Sequence, residues 1–185
     1  MKKSLSIRNL TLVGIIFLAA GMRLIPHIPN FTPIAAMALF GGVQFSKKRL
    51  AYLLPLGAMV LSDLILGIFV TKTGWWHNGI PFVYGAIAFT VYLGSRLGKN
   101  PSALAIGGGA LSSSVFFFLL TNLGVWLTGS LYPKTLEGLG SCFVAALPFF
   151  RNSLMGDSLY TLALFGGFAL AAQRWHLLRR DLVIR

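Results

Sequence analysis

The fold of this chain is decided by the stretch RLIPHIPNFTPIAAMALFGGVQF, residues 23–45, which lies between two apolar runs. Pro26, Pro29 and Pro33 occur within its first half. Each proline removes a backbone donor and biases the preceding residue away from helical geometry. The stretch therefore predicts a structured turn that carries a histidine and an asparagine, followed by a short helix rich in alanine and glycine.

The composition around this turn is typical of a membrane protein. The chain has 185 residues, of which 56% are hydrophobic and 11% charged, with a mean hydropathy of +0.76. A soluble domain carries about 25% charged residues. Long apolar runs with polar punctuation predict an all-α membrane protein, a six-transmembrane-helix bundle of about six spans.

The basic residues are arranged as the positive-inside rule requires. The net charge is +12. A basic protein can bind nucleic acid, but here the charges cluster beside apolar runs, which favours contact with anionic lipid headgroups in the bilayer and no nucleic acid. The clusters predict cytoplasmic N- and C-termini and comprise Lys2, Lys3 and Arg8; Lys47, Lys48 and Arg49; Arg96 and Lys99; Arg174, Arg179, Arg180 and Arg185.

Hydropathy divides the single integral membrane domain, residues 1–185, into spans at about 10–25, 33–45, 50–70, 81–97, 103–128 and 154–172. Residues 130–153 form the longest interruption, and their apolar part is too short to span. We expect there a short interfacial or re-entrant outer helix. Pro55 is expected to bend the third span.

Polar and aromatic side chains concentrate at the predicted outer ends of the spans, whereas the inner loops are short and basic. Apolar walls with a few convergent polar groups are typical of ligand sites. Some of the charges are also expected to pair, Arg23 with Asp157 and Arg151 with Glu137 or Asp157. The candidate substrate-binding residues are His27, Asn30, Asp63, Trp76, His77, Asn78, Tyr84, Asn122, Trp126, Arg151, Asn152 and Asp157.

Several of these residues also have a structural interpretation. Asp63 either caps or hydrogen-bonds a broken helix, or contacts a ligand or a cation, because a carboxylate in a membrane helix needs a partner. Trp75 and Trp76 suit either the headgroup belt or the wall of a site. Cys142 is the one cysteine, which argues against an intramolecular disulfide and a cysteine-rich metal site. No cofactor and no metal site are expected.

The chain resembles an uncharacterised bacterial family of small integral membrane proteins, which are similar to the S components (substrate-binding subunits) of energy-coupling factor transporters. The resemblance is carried by residues 23–45, Leu61-Ser62-Asp63, His77-Asn78 with residues 81–85, Thr121-Asn122 with Trp126, residues 132–135, and residues 147–152 with Gly156-Asp157.

The resemblance implies a bacterial cytoplasmic (inner) membrane protein with a vitamin or similar micronutrient bound at the outer side, under the first, third and fifth loops. It also implies a coupling subunit with two ATPases as partners. Some S-component-like proteins act alone, notably a cobalamin transporter, so cobalamin is among the candidate ligands, with His77 or His27 as a conceivable axial ligand.

Two other functions compete with transport. Small-residue faces on several helices suit a structural or assembly subunit of a membrane complex. Asp63 and Asp157 could form the dyad of an intramembrane aspartyl-type enzyme, which requires the two carboxylates to share a proton. The sequence around Asp157, LMGD, lacks the first glycine of the Gly-x-Gly-Asp pattern, so we expect no enzyme.

Overall fold

The computed structural model describes residues 6–70, 72 and 76–179, and every element assigned in these ranges is helical. Lys2, Lys3, Trp75, Arg180 and Arg185 lie outside the described residues. Short 3₁₀ turns follow α1, at Met22–Leu24, and α7, at His176–Leu178; a π-helical turn, Leu66–Val70, ends α3, and another, Leu162–Gly166, joins α6 to α7. The helices are α1 (Ile7–Gly21), α2 (Ile34–Gln44), α3 (Lys48–Ile65), α4 (Ile80–Arg96), α5 (Ala103–Thr128), α6 (Leu136–Thr161) and α7 (Gly167–Arg174).

The helices indicate a membrane protein, as the composition predicts. Four stretches are long and apolar enough to cross a bilayer: Ile7–Leu24, Lys48–Val70, Ala103–Thr128 and Leu136–Arg174. Large apolar side chains also point outward from them. Leu53, Leu104 and Leu162 are 66%, 86% and 72% exposed. Such surfaces suit lipid, since soluble monomers rarely expose large apolar patches.

The count of six spans stays a prediction. Helix α2 has 11 residues and α4 has 17. At a rise of 1.5 Å per residue, α2 is about 16 Å long, roughly half of the hydrocarbon core. The all-α class is confirmed, whereas the more specific prediction of a six-helix membrane bundle is not.

The region after Ser130 differs from the expectation. The chain does not form a separate interfacial or re-entrant helix that ends before a span at 154–172. Instead, a single helical stretch of 39 residues runs from Leu136 to Arg174. Pro148 lies inside α6. Proline costs one backbone hydrogen bond, and the helix continues because packing on α5 outweighs that loss.

Helix α2 forms the centre of the molecule. Every residue from Ile34 to Val43 is buried, so α2 is apolar on all sides, as expected of a helix surrounded by other helices. Its Phe40 ring packs edge-on against Phe165, at a centroid distance of 5.2 Å, and against Phe168, at 5.6 Å. The turn that precedes α2 is therefore held at the centre of one end of the molecule.

Glycines permit a close contact between the backbones of α2 and α4. A Cβ atom placed on Gly42 would meet the backbone oxygen of Val91 and would lie 3.0 Å from the Cα of Gly94. A Cβ atom on Gly94 would meet the backbone oxygen of Leu39 and lie 3.1 Å from the Cα of Gly42. The two backbones thus touch, which is the role expected of small residues in membrane helix packing.

Basic side chains gather at the C-terminal end of α2. The Arg8 guanidinium donates to the Gln44 carbonyl at 3.1 Å and to its side-chain oxygen at 2.8 Å. A cation is stabilised there by the helix dipole. Two nearby clefts bring Lys48, Arg96, Lys99 and Arg179 to the same end. The chain therefore has one basic end, and the turn of residues 26–33 lies at the other.

Candidate functional site

A cavity of about 220 Å³, here called the polar cavity, lies where the turn of residues 26–33 meets the helices. It brings together Asn30, Asp63, His77, Tyr84 and Asp157 from the predicted set. Arg23, Thr32 and Ser153 add polar groups that the prediction did not include. The rest of the wall is Ile34, Ala35, Met59, Ile80, Val83 and Phe117.

An ion pair spans one side of the polar cavity. Arg23 Nη2 lies 2.8 Å from Asp63 Oδ1, and the two side chains are 11% and 17% exposed. The same guanidinium donates to Ser62 Oγ at 2.5 Å, and the Tyr84 hydroxyl donates to Asp63 Oδ2 at 2.8 Å. This network ties the end of α1 to α3 and α4. The expected pairing of Arg23 with Asp157 is therefore wrong, since Asp63 takes that role.

The second carboxylate, Asp157, has a different environment. It is 7% exposed and lies on α6. The Ser114 hydroxyl of α5 donates to Asp157 Oδ2 at 2.6 Å. Asp63 is neutralised by the Arg23 cation, whereas Asp157 accepts its hydrogen bond from a neutral hydroxyl. The polar cavity thus contains two carboxylates in different electrostatic environments: the charge of Asp63 is balanced by Arg23, and Asp157 has only a hydroxyl partner among the described residues.

The proline-rich turn is fastened to one face of α6 by three residues spaced four apart. Asn152 Nδ2 donates to the Pro29 carbonyl at 3.1 Å. A Cβ on Gly156 would lie 3.2 Å from Phe31 Cα, so the turn rests against the helix backbone there. Tyr160 packs on Phe31 at a centroid distance of 5.8 Å. Residues at this spacing share a helix face, and the contacts hold the turn beside Asp157.

Asn30 adopts a backbone conformation that suits its residue type. Its φ angle is +63°, a left-handed conformation in which asparagine is enriched. The Phe31 N–H donates to the Ile28 carbonyl at 3.0 Å and closes the turn around it. From this turn, Asn30 lines the polar cavity.

The remaining predicted residues lie outside the polar cavity. Trp76, Asn78 and Arg151 are exposed, and exposed His27 has Nδ1 2.6 Å from the Ile25 carbonyl. Asn152 holds the turn. Asn122 lines an adjoining cavity of about 240 Å³ that shares Asn30, Val83, Phe117 and Ser153 with the polar cavity.

Trp126 has a structural role in the described contacts. Its Nε1 donates to the Pro133 carbonyl at 2.8 Å. Lys134 Nζ lies 5.6 Å from the Trp126 ring centroid and donates to the Gly129 carbonyl at 2.7 Å. These bonds close the connection between α5 and α6, and the Lys134 ammonium supplies a donor to a carbonyl at the C-terminal end of α5.

Two comparisons with known proteins gave no match, and one did. No curated protein and no solved structure matches the chain at a significant level. A family of unknown function, DUF6580, matches residues 3–178. The match covers nearly the whole sequence, so the chain belongs to this family. The prediction that the chain belongs to an uncharacterised family is thereby confirmed. The similarity of that family to S components stays a prediction.

Proposed function

We propose that this member of the DUF6580 family is a substrate-binding membrane transport protein that takes up a small, vitamin-like solute through the polar cavity. The observation that carries the proposal is the convergence of Arg23, Asp63, Tyr84, His77 and Asp157 on one cavity at the non-basic end of the molecule. Polar side chains in a membrane protein are costly and mark functional sites by default.

The volume of the polar cavity supports a small solute. About 220 Å³ is below the 300–1,000 Å³ of drug-sized ligand pockets. The adjoining cavity beside Asn122 adds about 240 Å³ next to it. Cobalamin, with its corrin ring and nucleotide tail, is far larger than either space, which favours a compact micronutrient.

The polar groups favour a solute that both donates and accepts hydrogen bonds. Helix α2 begins without a side-chain cap, and its first residues, Ile34 and Ala35, line the polar cavity. Backbone N–H groups at a helix start are unsatisfied and attract negative groups. Asp157 provides an acceptor in the same cavity. A small molecule with a carboxylate or carbonyl at one end and a donor at the other would match both.

Orientation and partners extend the proposal. The basic end of the molecule is proposed to face the cytoplasm, which puts the polar cavity at the outer side of a bacterial inner membrane. The resemblance to S components supports a coupling subunit with two ATPases as the energy source.

Two histidines provide a matched test of this site. We expect purified protein to be stabilised by its solute in a thermal-shift screen of vitamins and related micronutrients. His77→Ala should weaken that binding about tenfold, equivalent to one hydrogen bond to a charged or polar group. His27→Ala, the same change outside the polar cavity, should leave it unchanged. Equal losses in both variants, or no stabilising solute in the screen, would count against the proposed site.

An intramembrane aspartyl-type enzyme is the second candidate, because Asp63 and Asp157 line the same cavity. A catalytic dyad needs its two carboxylates to share a proton. Here Asp63 is bonded to Arg23 and Tyr84, and Asp157 to Ser114. Those separate partners favour binding over catalysis. Cleavage of a membrane peptide by wild type, but not by Asp63→Asn protein that remains folded in detergent, would reverse this preference.

A further inference from the structure

We propose that Asp157, Ser114 and Thr161 form a binding site for a monovalent metal cation such as Na⁺. The three residues line a groove of about 470 Å³ between α5 and α6, here called the lateral groove. Its other walls are mainly alanine, glycine, leucine and isoleucine. Asp157 also lines the polar cavity, so it stands between the two spaces.

The first observation is an uncompensated buried charge. Asp157 is 7% exposed and accepts a hydrogen bond from Ser114, and no cationic side chain pairs with it in the described ranges. In the polar cavity Arg23 and Asp63 neutralise each other at 2.8 Å. One negative charge remains when Asp157 is ionised. A buried charge in a membrane protein requires compensation, and one positive charge supplies it.

The second observation is an orphaned hydroxyl. Thr161 is 7% exposed, and its Oγ1 has no hydrogen-bond partner within the described part of the chain. A buried polar atom without a partner is costly and rare. Thr161 follows Asp157 by four residues, so the two side chains share a face of α6. Its oxygen is available to a cation held by the carboxylate.

The third ligand, Ser114, is able to change its hydrogen bond. Its single hydroxyl proton has two acceptors, Asp157 Oδ2 at 2.6 Å and the Ala110 carbonyl at 3.0 Å. When the proton is donated to Ala110, an oxygen lone pair faces Asp157 and is free to bind a cation. Carboxylate and hydroxyl oxygens are the ligands that hard cations prefer.

The position of Asp157 links the cation to the solute. A cation reaching Asp157 through the polar cavity would change the electrostatic potential at the solute, so the binding of one would alter the affinity for the other. This coupling rests on the proposed function. The cation site itself does not, because it is defined by residues of α5 and α6 alone.

The test measures Na⁺ binding without solute. At constant ionic strength, replacing choline by Na⁺ should raise the melting temperature of wild-type protein by about 3 °C or more. Radioactive Na⁺ should bind with a stoichiometry near one per chain. Asp157→Asn and Thr161→Val should lose both effects. Thr128→Val, the same change at the exposed end of α5, should retain them.

Each result decides the proposal. If Asp157→Asn does not fold, Thr161→Val still tests the site, since it keeps the carboxylate. The proposal is overturned if wild type does not distinguish Na⁺ from choline, or if Na⁺ binding persists in both site variants. A wild-type protein that binds Na⁺ but no micronutrient would overturn the proposed function and leave the cation site standing.

Discussion

Replacing Gly42 by alanine is expected to lower the free energy of unfolding by about 2 kcal/mol or more, within the range of overpacked cores. The added methyl group would meet the backbone of Val91 and Gly94, which no rotamer change relieves. Helices α2 and α4 would have to separate, and α2 is buried along Ile34–Val43. The loss should appear as a lower melting temperature in detergent and a smaller yield of monodisperse protein.

Gly108→Ala is the matched control for this prediction. A Cβ at Gly108 meets nothing within 4 Å. Alanine is favoured over glycine inside a helix by roughly 1 kcal/mol, so this variant should be as stable as wild type or more so. Equal behaviour of the two variants would show that the contact between α2 and α4 does not determine the packing.

The second large effect is expected at the ion pair. Asp63→Asn should destabilise the protein by about 3–5 kcal/mol, because it leaves the mostly buried Arg23 guanidinium without its counter-charge. Arg23→Gln should cost a similar amount for the opposite reason. The double variant should be more stable than the sum of the two losses predicts, since it removes both charges together.

Melting temperatures of the four proteins in this double-mutant cycle check the prediction. Tyr84→Phe adds a smaller step, about 1.5 kcal/mol, because it removes one hydrogen bond to the Asp63 carboxylate. Additive losses at Arg23 and Asp63 would mean that the pair is screened by solvent and does not hold α1 to α3.

Composition and charge pattern were enough to predict the helical class and the clustering of basic residues at one end. A span was predicted at 103–128, and helix α5 occupies Ala103–Thr128, because the glycines and serines there do not interrupt the helix. The separate outer helix expected within residues 130–153 was wrong: that prediction rested on an apolar stretch too short to span, and α6 continues through Pro148. A proline marks a possible break, and only the packing partner decides whether the helix continues.

The polar cavity was predictable in part. Asn30, His77, Tyr84 and Asp157 were identified as polar residues near predicted span ends, and Asp63 as a carboxylate within a membrane helix. Which of the acidic residues would pair with Arg23 depends on how α1 packs beside α3, and one sequence does not contain that information. Ser114 was not among the candidate residues, because its bond to Asp157 depends on the register between α5 and α6.

The turn of residues 26–33 was also predictable only in part. Its prolines predicted a rigid connection, and both His27 and Asn30 were expected to bind the substrate. The structure separates them: Asn30, in a left-handed conformation, faces the polar cavity, and His27 faces outward. The attachment of the turn to α6 through Asn152, Gly156 and Tyr160 could not be predicted, because it depends on how the turn and α6 pack in three dimensions.

The most direct test of the central claim is native mass spectrometry of protein purified in mild detergent, comparing wild type with a variant whose cavity is filled by a larger side chain. Ser153 lines both the polar cavity and the cavity beside Asn122, so Ser153→Phe places a ring in the shared wall. Ser141→Phe makes the same change at an exposed position of α6. We predict a small molecule bound to wild type and to Ser141→Phe, and its absence from Ser153→Phe at equal melting temperature. A ligand retained by Ser153→Phe at the wild-type level would contradict the claim that the polar cavity binds the solute.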